Sequence, residues 1–313
     1  MMNKSSLLSI VINTFNRKEL LLEEIYALLN QTIDKDLYDI IVVDDGSTDG
    51  TEKFLSEKGV MNKIRYFRQR NLGRASAKNL GLKNVLTPFI VFLGDDMLPS
   101  NKLLEIHLKY QKSFKNIAVL GMCEWKPEKG SESFKKISNP SPYDYIEDKD
   151  DAGFLFFHTG NISVETNLVK DVGGFDENFR FFGWEDIELG YRLEKGKNIK
   201  VMFVPEAYAL HRHPEIDLDS LLKREYESGI SVRYFCEKYP DEEFKKINPL
   251  LQRPGARPGN VVRKKFGKLM IQIFENTFPS PVLLDYLYKR LLFSYRVQGF
   301  FDAEKKINLR KGR

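Results

Sequence analysis

The sequence predicts an α/β protein: a mixed, mostly parallel sheet flanked by helices, followed by a helical C-terminal extension. Three observations carry that expectation. Over the first hundred residues, short β-rich apolar runs alternate with longer stretches whose apolar residues recur at helical spacing. Strands and helices of these lengths in alternation imply βαβ units and a sheet covered on both faces. Beyond Ile216 the strand signals stop and the pattern turns helical.

Leu8 to Ile12 reads as the first strand. Arg17 to Asn30, with Leu20, Leu21, Ile25, Leu28 and Leu29 at helical spacing, reads as the first helix. Tyr38 to Val43 is a second strand, and Thr48 to Lys58 a helix opened by small polar capping residues. Ile64 to Phe67, Ala75 to Val85 and Phe89 to Leu93 continue as strand, helix and strand. A helix to about Phe114 and a strand over Ile117 to Met122 precede a polar loop from about Lys126 to Asp151. Phe154 to Phe157, Ile162 to Val164 and Val201 to Val204 read as strands, and Glu185 to Glu194 as a helix. The later helical pattern breaks at Pro249 and at Pro254-Gly255-Ala256-Arg257-Pro258-Gly259. The expected division is a catalytic domain over 1–214 and a helical, basic region over 215–313.

Composition sets bounds on function. With 313 residues, 42% hydrophobic and 30% charged, the chain has room for one large domain plus an appendage and is not globally disordered. Cys123 and Cys236 lie far apart in no metal-like spacing and read as thiols of a reducing compartment. No apolar run approaches the ~20 residues that span a bilayer. The stretch Leu7 to Ile12 ends at Asn13, too soon for a signal peptide, so a cytoplasmic location is expected. Charge is uneven. Residues 253–313 hold 14 Lys or Arg and 4 Asp or Glu, a balance of +10 in a chain whose net charge is +5. A basic end on a mildly acidic body suggests contact with a polyanionic surface.

In open α/β sheets, ligands bind beyond the carboxyl ends of the strands. The residues there are Thr14-Phe15-Asn16-Arg17, Asp44-Asp45-Gly46-Ser47 and Gly94-Asp95-Asp96. Two acidic pairs converging on one edge repel unless a cation or donors lie between them. A hard cation such as Mg²⁺ or Mn²⁺ takes few protein carboxylates and fills its shell with phosphate oxygens and water. Together these features point to a nucleotide diphosphate site.

Ile10 to Thr51, Asn71 to Pro99 and Thr159 to Leu193 resemble the family 2 glycosyltransferases of the Rossmann-like GT-A fold. The stretches that carry the resemblance include Asn13-Thr14-Phe15-Asn16-Arg17, Val42-Val43-Asp44-Asp45-Gly46-Ser47 and Asn71-Leu72-Gly73-Arg74-Ala75-Ser76-Ala77-Lys78-Asn79. Phe92-Leu93-Gly94-Asp95-Asp96, Thr159-Gly160-Asn161, Gly173-Gly174-Phe175-Asp176 and Gly183-Trp184-Glu185-Asp186-Ile187-Glu188 follow in order. Each motif is weak alone; their order and spacing are specific.

The resemblance implies an inverting transfer of a sugar from a nucleotide-sugar, UDP-linked by family habit, to an acceptor hydroxyl. Thr14 and Asn16, with Asp44 or Asp45, resemble the nucleoside clamp, with Arg17 and Asp95 beside it. Lys78 stands near the donor phosphates, with Arg74 sharing that work. Gly94-Asp95-Asp96 resembles the Asp-x-Asp metal motif, with Asp96 at its metal-binding position and Gly94 a departure at the first. One histidine completes the metal shell: His211 fits the family position better, and His213 is the fallback. Glu185-Asp186 resembles the acidic pair that meets the acceptor, with Asp186 as general base and Glu185 binding the acceptor, because a carboxylate at a helix N-terminus is favoured by the dipole. Gly160, Asn161 and Trp184 would complete the acceptor site, Trp184 as a sugar-stacking platform or as core.

Two other readings compete. A non-catalytic module binding nucleotide-sugars or polyanions is compatible with Gly94 but leaves Glu185-Asp186 without a role. A receiver-like domain phosphorylated at Asp44-Asp45 leaves the residues after 150 unexplained. Val261 to Met270 and Leu287 to Phe293 mix basic and apolar residues at helical spacing. They fit either an anionic membrane surface or helices packed on the catalytic domain. No nucleic-acid-binding motif accompanies the charge. A membrane location, at the inner face of the cell membrane, would favour a lipid-linked or glycan acceptor.

Overall fold

The computed structural model describes residues 6–125, 134, 142–212, 217–240, 267–271, 274 and 280–311. The chain forms two compact units. The first comprises Met1–Lys126, Ser141–Asn178 and Glu185–His213, and the second takes Phe179–Trp184 and the C-terminal helices.

The first unit is a mixed sheet of eight strands with helices on its faces. Its strands are β1 (Leu8–Thr14), β2 (Tyr38–Asp44), β3 (Arg65–Arg68), β4 (Phe89–Gly94), β5 (Met97–Pro99), β6 (Ile117–Trp125), β7 (Asn161–Glu165) and β8 (Lys200–His211). Its helices are α1 (Lys18–Leu29), α2 (Thr51–Glu57), α3 (Arg74–Asn84), α4 (Leu103–Ser113), α5 (Thr166–Asp171) and α6 (Glu185–Lys197). The strand order is β3-β2-β1-β4-β7-β6-β8-β5. β1 to β4 pair in parallel, as the alternating sequence predicts. β7 then runs antiparallel between β4 and β6, so only the first half is a regular βαβ sheet.

One apolar layer on the sheet gathers Ile10, Ile12, Val42 and Leu93 under α1, with Leu21, Ile25 and Leu28 facing them. The other gathers Val11, Val43, Phe92 and Ile162 with Ala75 and Ala77 of α3 and Leu189 and Leu193 of α6. Gly81 lets α3 settle close on β1: a Cβ there would run into the Val11 side chain.

The end of β8 is set by an irregularity. Against β6, the register runs Gly121 to Val204 and then Met122 to Tyr208, so Pro205, Glu206 and Ala207 form a bulge. A proline that cannot donate to a ladder is accommodated at such a bulge. The Asn161 side chain fills the space, donating to Ala207 O at 2.8 Å and Met122 O at 3.2 Å. Gly121 is required beneath it, since a Cβ would collide with the Asn161 amide and Ala207 O. The strand then pairs antiparallel with β5, placing His211 opposite Met97. Phe154 to Phe157, expected as a strand, is a 3-10 turn over Phe154–Phe156.

The second unit is helical. Helix α7 (Leu218–Lys238) is capped by Asp217, which accepts from Ser220 N at 2.7 Å, and α8 (Pro281–Lys311) packs along it. Gly229 and Gly299 allow the close approach, as a Cβ on either would meet the opposing backbone. Arg296 donates to both Glu225 oxygens, at 2.7 and 3.0 Å. No described helix is long and apolar enough to cross a membrane. Most of the loop expected from 126 to 151, and the basic stretch over 261–266, lie outside the described residues.

Candidate active site

The carboxyl ends of β1, β2 and β4 converge, as the parallel register requires: Thr14 pairs with Asp44, and Asn13 with Gly94. Thr14 Oγ1 donates to Asp95 Oδ2 at 2.9 Å. Arg17, which caps α1, donates from Nη1 to Asp95 Oδ1 at 2.9 Å and Asp96 Oδ2 at 2.6 Å. The guanidinium therefore bridges the two carboxylates, where sequence reasoning had placed it on the donor nucleotide. Both aspartates are buried. Burial raises the Asp95 carboxyl above its ordinary range; Arg17 opposes the shift and Asp96 adds to it.

Asp96 Oδ2 also lies 3.2 Å from His211 Nε2. Cis ligands at ~2.1 Å from an octahedral cation stand ~3.0 Å apart, so these two atoms fit one edge of such a shell. Among the described residues no set of three or more His, Cys, Asp or Glu is grouped as metal ligands. Two protein donors with phosphate and water completing the shell is the habit of Mg²⁺ and Mn²⁺. His213 lies outside the described residues.

At the end of β2 the acidic pair is engaged locally. Asp44 accepts from Ser47 N at 2.7 Å and from the Tyr66 hydroxyl at 2.5 Å. Asp45 accepts from Gln69 Nε2 at 2.7 Å, Leu72 N at 2.9 Å and Gly73 N at 2.9 Å, fastening the loop that leads into α3. Gly46, at φ +85°, leaves no room for a Cβ, which would stand 2.7 Å from Asn71 N. Asn16, in the left-handed region at φ +55°, accepts from Thr48 N at 2.7 Å and donates from its own N to Ser47 Oγ at 2.9 Å. Thr14, Asn16, Asp44 and Asp45 are thus brought together at one edge, and Asp45's oxygens serve the loop.

The acidic pair at the start of α6 divides its work. Glu185 turns inward: its Oε1 accepts from Lys78 Nζ at 2.9 Å, and both side chains are about 95% buried. Lys78 also donates to Thr159 Oγ1 at 2.5 Å and lies over the Phe175 ring, 5.1 Å from its centroid. Burial acts to raise the Glu185 carboxyl, but Lys78 and then Arg74 hold it below its ordinary range. Here the structure corrects the sequence reading: Lys78 and Glu185 pair with each other rather than standing open to phosphate and acceptor. Arg74, at the exposed start of α3, stays open to solvent.

Asp186 is half-buried and accepts from backbone N–H groups, Ile187 N at 2.9 Å and Thr159 N at 3.4 Å. Its neighbour His158 escaped sequence reasoning, since a lone histidine in an aromatic run carries no signal. Enclosure pushes the His158 imidazole below its ordinary range, and Asp186 acts the other way.

Two expected acceptor residues have structural duties. Asn161 is fully buried; besides its two carbonyl contacts it meets His107 Nε2 at 2.9 Å through Oδ1. Gly160 O accepts from Gly94 N at 3.1 Å, closing the end of β4. Trp184 belongs to the helical unit, where its ring packs on Phe235 at 5.5 Å, with Val232, Val297 and Phe300 in the same cluster. Of the two roles open to it, this is the core one.

A family model described as Glycosyl transferase family 2 matches residues 9–173, more than half of the chain. The chain belongs to glycosyl transferase family 2. Among curated relatives, it is 27% identical over 282 residues to a chondroitin synthase of Pasteurella multocida, covering 79% of this chain and 29% of that protein. It is 27% identical over 267 residues to a chondroitin synthase of Escherichia coli, covering 74% and 38%. A validoxylamine A glucosyltransferase of Streptomyces hygroscopicus subsp. limoneus is 32% identical over 215 residues, covering 60% and 48%. The chain thus spans less than half the length of these relatives. Among solved structures, the fold of this family 2 transferase matches the mannosyltransferase PcManGT from Pyrobaculum calidifontis, in complex with GDP-Man and Mn²⁺. That match has a TM-score of 0.64 and 14% identity, covering 96% of this chain and 87% of the other. S. aureus TarS 1-349 matches with a TM-score of 0.56 and 16% identity, covering 98% and 92%. The fold is GT-A, and the chain is a glycosyltransferase like its named relatives, which sets aside the non-catalytic module.

Proposed function

We propose that this transferase moves a sugar, with inversion, from a nucleotide diphosphate donor to a hydroxyl of a glycan or lipid-linked acceptor, with Asp186 as the general base. The observation that carries this is the division of the Glu185-Asp186 pair. Lys78 and Thr159 tie Glu185 into the interior, while Asp186, beside it in the first turn of α6, is half-buried and accepts only weak or local backbone contacts. The acceptor oxygen attacks the anomeric carbon and its proton passes to an Asp186 oxygen. The bond to the donor phosphate oxygen breaks, and the diphosphate leaves with that electron pair. The Lys78–Glu185 pair holds the start of α6 so that Asp186 faces the acceptor. Arg74, at the start of α3, meets the diphosphate together with the helix N-terminal amides.

Asp96 and His211 would hold a divalent cation, which when bound neutralises charge on the diphosphate. The fold neighbour bound to GDP-Man and Mn²⁺, and TarS structures in complex with UDP and UDP-GlcNAc, support a nucleotide-sugar donor. UDP-sugars are the donors we favour. Chondroitin synthases and a validoxylamine A glucosyltransferase among the relatives support a carbohydrate acceptor, in polysaccharide or glycoconjugate synthesis.

The site of action we propose is the cytoplasmic face of the cell membrane. The +10 balance of residues 253–313, and exposed Val282, Tyr286, Lys289 and Arg290 on α8, support it. Binding to phosphatidylglycerol vesicles that fails in high salt is expected; no sedimentation at low salt would contradict it. The donor is tested by thermal shift against a panel of UDP-, GDP- and dTDP-sugars with and without Mn²⁺. Stabilisation by a UDP-sugar that grows with Mn²⁺ is expected, and no shift with any donor would overturn the reading.

A further inference from the structure

Helix α1 carries a side chain that none of this chemistry uses. Glu24 lies among Leu21, Leu22, Ile25 and Leu28 on the buried face of α1, against the layer that holds Leu93, Met97 and Leu103. It is 1% exposed, and among the described residues neither of its oxygens has a hydrogen-bond partner. A leucine at that helical position would avoid burying an unpartnered carboxyl, so its presence needs a cause.

The charged groups that face it supply one. Burial first, then Asp95 and Asp96, hold the Glu24 carboxyl well above its ordinary range. The geometry agrees. Arg17 and Glu24 stand seven residues apart on one helix, hence on one face, and Arg17 reaches both aspartates. Helical side chains lean toward the N-terminal end, which directs Glu24 toward the turn that Arg17 contacts. Three carboxyl groups from α1 and the β4–β5 turn thus gather beside His211. Gly94 leaves the first position of the acidic motif without a carboxylate, and a Cβ there would stand 3.1 Å from Asp96 Oδ1.

We propose that Glu24 is the third carboxylate of the divalent-cation site, standing in the cation's outer shell behind Asp96 and supplying from α1 the charge that Gly94 lacks. This rests on the reading of Asp96 and His211 as cation donors. A buried group that strengthens a site at the expense of the free fold is a familiar exchange of stability for function.

The test is Mn²⁺ titration, read by the electron paramagnetic resonance of the free ion, on the wild type, Glu24→Gln, Glu24→Leu and Asp96→Asn. The melting temperature of each metal-free protein is measured alongside. Both Glu24 variants are expected to weaken Mn²⁺ binding roughly 10- to 100-fold, the range for outer-shell ligands, while melting at or above the wild-type temperature. Wild-type affinity in either Glu24 variant, with Asp96→Asn impaired, overturns the proposal. So does a fall in metal-free stability that accompanies the loss of affinity, because Glu24 would then be a fold residue. A wild type that binds no Mn²⁺ overturns the cation reading as well. The transferase reading is judged separately, by calorimetric binding of the nucleotide-sugar itself.

Discussion

Replacing Lys78 with methionine removes the positive partner of a carboxylate that has almost no access to water. Lys78 and Glu185 side chains are 6% and 5% exposed, their charged atoms are 2.9 Å apart, and Glu185 Oε2 has no hydrogen-bond partner among the described residues. Breaking a buried pair by deleting one member costs about 3–5 kcal/mol, because the remaining charge stays desolvated. For a unit of this size each kcal/mol moves the melting temperature by ~2–4 °C, so Lys78→Met should melt roughly 6–20 °C lower at pH 7. The pH dependence gives a second reading. Glu185 is held below its ordinary range in the fold, so its stabilisation is present above the unfolded value of ~4.3 and is lost as pH falls through the folded one. The gap between wild type and variant should therefore narrow below about pH 4. Lys78→Met with Glu185→Leu should recover most of the loss, since an apolar pair of similar volume replaces an ion pair nearly neutrally. Urea and thermal melts across pH 3 to 8 measure all three. A single variant within about 1 kcal/mol of wild type at pH 7 would refute the account of this pair.

Other outcomes follow from the same geometry. Asp96→Asn should abolish the Mn²⁺-dependent part of donor stabilisation in thermal shift while leaving the metal-free melting temperature within a few degrees of wild type. Asn161→Ala strands Ala207 O, Met122 O and His107 Nε2 inside the sheet and should cost ~3 kcal/mol in urea unfolding, with a parallel loss of Mn²⁺ affinity because the β8 bulge positions His211. His107 is fully buried and burial lowers its imidazole to about 4, so the fold needs it neutral. The stability of the neutral form is complete above the unfolded value of ~6.5 and falls away toward pH 4, by ~3 kcal/mol, a decline that His107→Gln should lack.

How much of this was legible in the sequence depends on how local each feature is. β1, β2 and β4 are continuous apolar runs and α1 has a clear helical stripe, so they and their parallel order could be read directly. β5 could not: three residues, Met97–Pro99, become a strand only by pairing with β8, more than a hundred positions away. The length of β8 was hidden for the same reason, since Pro205 reads as a stop until a bulge absorbs it. In the site, the motifs marked which residues gather but not how they divide their contacts. Glu185 and Asp186 are adjacent in sequence, and only the placement of Lys78 on α3 shows which one turns inward. Glu24 looked like one acidic residue on a charged helix because its partners are tertiary. Asn161 and Trp184 were read as acceptor residues from their motifs, while their surroundings give them a bulge to fill and a phenylalanine to pack on.

The central claim is that Asp186 takes the acceptor proton in a sugar transfer. Donor turnover by the wild type and Asp186→Asn, measured with the nucleotide-sugar that stabilises the protein and with Mn²⁺, tests it most directly. The account predicts a fall of roughly 10²- to 10⁴-fold for the variant with donor affinity unchanged by calorimetry. Equal turnover by the two proteins would contradict it.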